Sequence, residues 1–275
     1  MEHEAQIRLA FFGGVFLLMA LWELAAPRRP PLPAKGRRWS ANLGLVLVDT
    51  LAVRLVFPLA AVGMAGLAQE WKWGVLNQWK TPYVLAFLAS IIALDFIIYL
   101  QHVVFHALPS LWRLHMVHHA DLDFDVTTGL RFHPLEILLS MAIKLTAVAL
   151  IGPPVEAVVA FEVLLNATSM FNHSNVRIPP RIDRALRWLV VTPDMHRVHH
   201  SIDVSESNHN FGFNLPWWDR LCGTYQPRPA AGHENMIIGL HRFRDVMEQS
   251  LRRLLVMPFV REIDDRSIRH RREQR

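Results

Sequence analysis

The sequence predicts an all-α integral membrane protein: a helical bundle of about three spanning helices plus a broken helical hairpin, with a cytoplasmic histidine-rich helical cap. Three observations predict this fold. Just over half of the 275 residues are hydrophobic, at 52%, which is high for a soluble chain. Four apolar stretches are long enough to form membrane helices. The polar remainder is rich in histidines that recur at helical spacing.

The first three apolar stretches each predict one spanning helix. They cover residues 7–26, 43–67 and 82–108. A bilayer core takes about 20 helical residues to cross, so each stretch is long enough. Thr81 and Pro82 form a suitable helix start for the third stretch.

The fourth apolar stretch, residues 135–170, is interrupted by Gly152-Pro153-Pro154. The two prolines remove two backbone donors and disfavour helix at the residue before them, so we expect a turn there. Each side of the turn is then about half to two-thirds of a spanning length. We interpret the stretch as a hairpin of two helices that enters and leaves on the same side of the membrane. A single kinked span is the alternative.

Basic residues collect at residues 27–38 and in the tail at 261–275. Positive charge beside apolar segments marks the cytoplasmic side of a membrane. The chain also lacks the interleaved basic and aromatic stretches of a nucleic-acid-binding protein. The 27–38 cluster therefore predicts an external N-terminus, an external loop at 69–80, and cytoplasmic residues 102–134 and 171–275. Every histidine cluster then lies on the cytoplasmic face.

We treat residues 1–275 as a single membrane domain with four parts. In chain order these are N-terminal transmembrane helices at 1–108, a first cytoplasmic histidine segment at 109–134, the membrane hairpin at 135–170, and a cytoplasmic cap with the second HxxHH motif and the basic tail at 171–275. The one cysteine, Cys222, excludes an internal disulfide and a cysteine-rich zinc site.

Eight histidines form three groups with helical spacing. Side chains three and four positions apart share one face of a helix, so each group presents a compact set of imidazoles. The i+3 and i+4 neighbours diverge slightly, which suits two adjacent metal ions better than one, and eight imidazoles exceed the four ligands of a tetrahedral zinc site. Imidazole by itself does not fix the metal. The groups are His102 and His106 in QHVVFH, His115, His118 and His119 in HMVHH, and His196, His199 and His200 in HRVHH.

Two further histidines are candidate ligands because of the hairpin. His133 precedes it and His173 follows it, so a hairpin would return both of them to the clusters. His209 is expected near the site, supporting a ligand and not binding the metal itself.

Three carboxylates are expected to support the ligands. Asp95 lies seven residues before His102 on the same helical face, so it would orient a ligand histidine or hydrogen-bond a neighbouring helix. Asp194 belongs to a predicted helix start that leads into His196. Glu136 would hydrogen-bond a ligand or cap a helix. No catalytic side chain is predicted beyond the ligands and these supports.

Between Asp95 and Tyr225 the chain carries, in order, DFIIYLQHVVFH, HMVHH, RFHPLE, FNHSN, TPDMHRVHHS and NHNFGFNLPWWDRLCGTY. Together these motifs resemble the fatty acid hydroxylase/sterol desaturase superfamily. The resemblance implies an integral membrane enzyme with a histidine-ligated di-iron centre on the cytosolic face, using O₂ and electrons from a separate redox protein. It maps the three histidine groups, His133 and His173 onto family histidines. Ser169 stands where some fatty acid hydroxylases carry another histidine, so His133 is the candidate tenth ligand.

The function that this resemblance implies is hydroxylation or desaturation of a lipid, such as a sterol or fatty acyl chain, by two iron ions and O₂. Electrons would come from a ferredoxin or cytochrome b5 type donor, since the chain has no GxGxxG fingerprint and no cysteine set for an iron–sulfur cluster. A histidine-rich membrane metal transporter or metal-binding protein is the alternative, and it predicts ionisable residues along the midplane. Few ionisable residues lie in the predicted spans, among them Asp49, Arg54, Asp95 and Lys144. The sequence does not determine which lipid is the substrate, which carbon is oxidised, or the oligomeric state. Two other interpretations also stay open: cleavage of an ether lipid as the reaction, and a catalytically inactive scaffold.

Overall fold

The computed structural model describes residues 4–32 and 35–261, and in these ranges the chain folds into α-helices and short 3₁₀ turns without a β-sheet. All but the first residue of the basic tail at 261–275 lies outside the described residues. The helices of the described ranges are α1 Glu4–Ala25, α2 Lys35–Val56, α3 Ala60–Glu70, α4 Val75–Gln78, α5 Tyr83–Ala107, α6 Pro109–His119, α7 Pro134–Ile151, α8 Val155–Asn172, α9 Pro180–Leu186, α10 Pro193–His199, α11 Val204–Ser207, α12 Trp217–Leu221, α13 Gly232–Asn235 and α14 Leu251–Val256.

Five segments of the described chain are long and apolar enough to cross a membrane. Four of them are the single helices α1, α5, α7 and α8, and the fifth is the stretch that contains α2, α3 and α4. The predicted helices at 7–26 and 82–108 are confirmed as α1 and α5. The predicted continuous helix at 43–67 is wrong, because α2 ends at Val56 and α3 begins at Ala60. Pro58 lies between them, and a proline there removes a helical hydrogen bond and clashes with the preceding turn.

The fourth apolar stretch forms the predicted hairpin. Lys144 on α7 and Glu162 on α8 are 18 residues apart, which would separate them by roughly 27 Å along one continuous helix. Their Nζ and Oε1 atoms are 2.9 Å apart, so the two helices lie side by side. The expected helix lengths are wrong. Each helix has 18 residues and is long enough to cross, because the turn takes up only residues 152–154 and the apolar stretch on either side of it is helical throughout.

Three charged side chains tie the spanning helices together within the apolar bundle. The buried carboxylate of Glu162 on α8 pairs with Lys144 on α7 and with Arg8 on α1, each at 2.9 Å. Charged groups among apolar helices are stable when they pair with one another. The triad therefore fixes α1 against the hairpin.

All the histidine segments lie at one end of the bundle, which we call the histidine end. The chain leaving α1 runs beside the chain leaving α8, where the amide of Arg28 donates to the carbonyl of Asn175 at 2.8 Å. Further along, the amide of Leu32 donates to Asp123 at 2.9 Å. This grouping agrees with the predicted arrangement on a single face of the membrane. Which face that is stays a prediction.

The opposite end of the bundle is closed by the hairpin turn and by the loop that the sequence places at 69–80. Gly152 has a left-handed φ of +68°, and a Cβ there would overlap the carbonyl oxygen of Trp73. Only glycine allows these two backbones to approach so closely. Trp71 and Trp79 are exposed in the same loop, as tryptophans at a membrane interface are.

The cap at the histidine end is organised around a buried arginine at the start of α2. Arg38 pairs with Asp121 and donates to Asp125 at 2.8 Å. Burial opposes ionisation of Asp121, but the adjacent guanidinium of Arg38 holds the pKa of this carboxyl below its usual value. Beside this network, Trp112 on α6 lies in an apolar core with residues of α2 and α14. These contacts fix α6, which carries the first HxxHH motif.

Candidate metal centre

Nine of the ten predicted histidine ligands converge at the histidine end in two adjacent clusters. Within each cluster, every residue offers a ring nitrogen and these atoms all lie within 4.8 Å of one another. All nine side chains are buried. Site 1 comprises His102, His106, His115, His119 and His199, and site 2 comprises His118, His173, His196 and His200.

Each HxxHH triplet is divided between the two sites. On α6, the outer pair at i and i+4 belongs to site 1 and the i+3 histidine to site 2. On α10 and the residue that follows it the assignment is reversed, with the outer pair in site 2 and the i+3 histidine in site 1. The helices therefore face each other, and the sites adjoin: the rings of His119 and His200 are stacked at 4.5 Å. The predicted divergence of i+3 and i+4 neighbours is present in the fold.

Helix ends position most of these rings. His106 lies in the last turn of α5, and His173 is the residue that ends α8. α10 begins at Pro193, and the hydroxyl of Thr192 accepts from the amide of Met195 at 3.4 Å, as expected for a helix start. The short helix thus begins directly before its triplet.

Six of the nine rings use Nδ1 to bond a neighbouring oxygen. An imidazole that donates through Nδ1 leaves Nε2 unprotonated, with its lone pair directed into the cluster, which is the usual arrangement around a metal-binding histidine. Four rings donate to backbone carbonyls: His102 to Phe211 (2.8 Å), His118 to Arg131 (3.1 Å), His173 to Ser169 (2.8 Å) and His199 to His209 (2.8 Å). The other two donate to side chains: His115 to Glu136 (2.7 Å) and His106 to Asn208 (3.4 Å).

The inward-facing nitrogens fit a cation. The Nε2 atoms of His118 and His173 are 3.1 Å apart, yet both rings already donate through Nδ1, so two lone pairs face each other. A metal ion with about 2.1 Å bonds to nitrogen would hold adjacent ligands about 3 Å apart. Among the described residues, the Nε2 atoms of His102, His115 and His199 are buried without a hydrogen-bond partner. Both observations fit metal ions in these clusters.

Burial keeps the rings in the form that binds metals. Desolvation lowers the pKa of His115 and of His173 to about 3 and the pKa of His119 well below its usual value. Neutral imidazole is the ligand form, so these rings are competent at neutral pH without any proton being displaced.

His133 does not join either cluster, so its predicted role as a tenth ligand is wrong. Its Nδ1 accepts from the amide of Leu135 at the start of α7, and its Nε2 donates to the carbonyl of Leu255 at 3.1 Å. The hairpin does return the chain to the histidine end, but the ring of His133 turns away to cap its own helix.

Of two predicted supports, Glu136 contacts a clustered ring directly and Asp95 acts through other residues. Glu136 accepts from Nδ1 of His115 at 2.7 Å, which realises the first of its two expected roles. Asp95 bonds no histidine, but it meets the alternative expectation of a hydrogen bond to a neighbouring helix, α12. It accepts from the indole of Trp218 at 2.7 Å and from the amide of Leu215 at 3.2 Å, and so holds the loop that carries Phe211.

The other two supports act less directly than expected. Asp194 pairs with Arg197 and Arg28 and contacts no ring of either site. It thereby ties α10 to the segment after α1. The side chain of His209 donates to the carbonyl of Ser205 at 2.8 Å, and only its backbone oxygen meets His199.

The most important support that the sequence did not indicate is Asp219 on α12. Its carboxylate accepts from the amides of Phe211 and Gly212, both at 2.8 Å, and so fixes the carbonyl that orients His102. Backbone carbonyls carry no residue signature. Asp219 could be suspected only as an acid inside the apolar NLPWWDRL run.

Comparison with known proteins gives a consistent result. The sequence profile of the family described as "Fatty acid hydroxylase" matches residues 87–224, which contain all nine clustered histidines. An ornithine lipid hydroxylase from Rhizobium tropici is 30% identical over 244 residues, covering 83% of this chain and 71% of that protein.

Alkylglycerol monooxygenases are more distant relatives. The proteins of Xenopus tropicalis and Homo sapiens are 28% and 29% identical to this chain, covering 59% of it in each case. The match spans only 34% of either monooxygenase. No solved structure matches the chain significantly.

Proposed function

The chain belongs to the fatty acid hydroxylase family, and from this premise we propose that it is a membrane-bound di-iron hydroxylase that inserts one oxygen atom of O₂ into a C–H bond of a lipid. The observation that carries the proposal is the pair of adjacent histidine clusters with converging ring nitrogens. The cytoplasmic placement of the site remains part of the proposal and follows from the basic segment at 27–38.

Iron is the metal that best fits the donor set together with the family. Five and four imidazoles exceed the needs of one tetrahedral zinc ion, and the chemistry of a hydroxylase requires a redox-active metal. When bound, the two irons supply the oxidising power that side chains lack. Site 1 and site 2 of this chain would each hold one of them.

The overall reaction needs a co-reactant that the described residues do not supply. Hydroxylation converts R–H, O₂, two electrons and two protons into R–OH and water, so a separate reductant must deliver the two electrons. A ferredoxin or cytochrome b5 type protein has the required chemistry, and we propose that one docks at the histidine end.

The side chains of this chain position the metals and exclude water. Nδ1 hydrogen bonds fix the rings, and Phe132 stacks on His118 at 4.5 Å with an angle of 8°. Phe105 and Phe211 are buried against site 1. Apolar walls of this kind keep water from the reacting carbon.

The substrate is proposed to be a polar membrane lipid that approaches from within the bilayer. Two rings of site 1 belong to α5, a spanning helix, so the metals lie where a lipid in the membrane can reach them. The ornithine lipid hydroxylase relative makes ornithine lipids the first class to test.

The test is to purify the chain after expression with iron, count its metals and compare lipid extracts of cells that express the wild type or His199→Ala. We expect two irons per wild-type chain and a lipid species with one added oxygen, which the variant does not make. His241→Ala is the matched control, since His241 is exposed outside both clusters. An oxidised lipid that persists in His199→Ala would contradict the proposal, and so would zinc as the only metal retained.

A metal transporter is less compatible with this fold. Transport along the spans would require metal ligands at the membrane midplane, whereas the clustered histidines of the described residues lie at one end.

A further inference from the structure

We propose that the cap carries a membrane anchor of its own: one apolar face, formed around α9 and α12, is inserted into the lipid leaflet beside α5. We call it the leaflet face. We assign to it the exposed apolar side chains of two parts of the sequence, namely Ile182, Trp188, Leu189, Trp217 and Leu221.

The depth of this face follows from its contacts with α5. The indole of Trp218 on α12 donates to Asp95 at 2.7 Å, and its ring lies 4.7 Å from that of Phe96. Asp95 is seven residues before His102, so it lies roughly 10 Å nearer the membrane centre. A hydrocarbon core of about 30 Å counted from Tyr83 ends close to His102. α12 therefore lies alongside a part of α5 that is within the bilayer.

The two halves of the leaflet face are joined to each other at this depth. The indole of Trp217 donates to the carbonyl of Trp188 at 2.7 Å, which connects α12 to the turn after α9. Trp188 is 60% exposed, Leu189 67% and Leu221 76%, values that would be costly for large apolar groups in water. Because α12 contacts α5 at Asp95 and Phe96, at a depth within the bilayer, acyl chains are the occupant that this surface would meet.

The polar neighbours of the leaflet face have the character of an interfacial segment. Arg220 stacks over the rings of Trp188 and Tyr225, each at 4.1 Å, and Arg184 is exposed on α9. Arginine and tryptophan together are typical of segments that lie at the boundary of headgroups and acyl chains. The guanidinium groups are placed to meet lipid phosphates while the apolar side chains enter the leaflet.

The anchor is continuous with the loop that orients site 1. Asp219 of α12 fixes Phe211, whose carbonyl bonds His102. The leaflet face thus holds this part of the site at a constant depth relative to lipids that approach along α5. The inference depends on α5 crossing the membrane and not on the identity of the metal or the reaction.

The sole cysteine of the chain allows a direct test. Cys222 is exposed and directly follows Leu221, so an environment-sensitive fluorophore such as NBD can be attached there without any substitution. The labelled protein is placed in phosphatidylcholine–phosphatidylglycerol vesicles. It is then quenched either by lipids with a nitroxide on the acyl chain or by iodide in the water. The matched control is the double variant Cys222→Ser/Ser205→Cys, which moves the label to an exposed position on α11 of the same cap.

We expect the Cys222 label to be blue-shifted and quenched roughly threefold more strongly by lipid nitroxides than by iodide, with the reverse order at position 205. Iodide quenching at Cys222 equal to that at position 205 would overturn the proposal. Protection from both quenchers would also overturn it and would indicate that protein, such as a second copy, covers the face. Neither result depends on iron content or on turnover, so the proposed hydroxylase activity is tested separately.

Discussion

Site 1 and site 2 are built from the same residue type but are supported differently. Site 1 has five rings, two of them on the spanning helix α5, and a carboxylate, Glu136, behind His115. Site 2 has four rings, and two of them, His118 and His173, donate through Nδ1 to backbone carbonyls. The Nδ1 atoms of His196 and His200 are buried with no hydrogen-bond partner among the described residues.

This difference teaches that ligand number and ligand orientation are separate properties of a metal centre. Site 1 has one ring in excess of four and a carboxyl group that fixes one ring. Site 2 has neither, so we expect it to tolerate less change. Substitutions that act on one site at a time can test this comparison.

The largest expected effect is the loss of a ring from either site. We expect His196→Ala and His106→Ala each to lower hydroxylation by roughly 10³-fold or more, because the residues of one centre act as a unit. Their iron contents should differ. His196→Ala should retain one iron per chain because site 2 falls to three rings, whereas His106→Ala should retain two. Metal analysis of the purified variants measures this, and equal iron loss in both would remove the proposed distinction between the sites.

A smaller effect is expected from the carboxylate behind site 1. Glu136→Ala leaves Nδ1 of His115 without its acceptor and should weaken iron binding at site 1 by about 10- to 100-fold. Glu136→Gln keeps an acceptor oxygen and should lose less. The rate of iron transfer to a chelator reports the change, with one kinetic phase accelerated and the other preserved. Acceleration of both phases would show that the two sites are not independently supported.

Asp219 acts on site 1 from a greater distance. Asp219→Ala removes the acceptor for the amides of Phe211 and Gly212, so the carbonyl facing His102 becomes less well fixed. We expect iron release from site 1 to become about tenfold faster, with site 2 unchanged. The same chelator assay applies, and a selective effect on site 2 would contradict the assignment of this loop to site 1.

The smallest expected effect concerns pH. Burial raises the pKa of Asp219 to about 6, against 3.8 for an unperturbed carboxyl, so the folded chain binds this proton more tightly than the unfolded chain does. The contribution of Asp219 to the free energy of unfolding should therefore increase as pH falls from about 7 to about 5, by about 1 kcal/mol. Unfolding of the wild type and of Asp219→Asn at several pH values measures it. A difference between them that is independent of pH would exclude this linkage.

Much of the fold could be predicted because its signals are local. The hairpin turn follows from Pro153 and Pro154, and the helical spacing of the histidines follows from residue positions alone. The break at Pro58 was present in the sequence too, but the apolar run on both sides of it concealed the break. Apolar length indicates where a membrane helix can form and says little about where it bends.

The convergence of the histidines was predictable for nine of the ten candidates, and the supporting residues were much less so. His173 was correctly placed through the hairpin, while His133 satisfied the same reasoning and was wrong. His133 differs from His173 in the orientation of its ring, which turns toward the start of α7 and accepts from the amide of Leu135. The spacing of residues in a sequence does not predict the orientation of a side chain. The carbonyls of Phe211 and Ser169 are likewise invisible in a sequence, because every residue has one.

The reversed division of the two triplets also has a consequence for the timing of biosynthesis. Neither site has its full set of rings until α10 has docked against α6, and the last of those rings belongs to His200. The chain must therefore be synthesised as far as His199 before site 1 is complete and as far as His200 before site 2 is complete. Correct metallation then follows folding, and a nascent chain that stalls early in translation offers iron no finished site in which to react with oxygen.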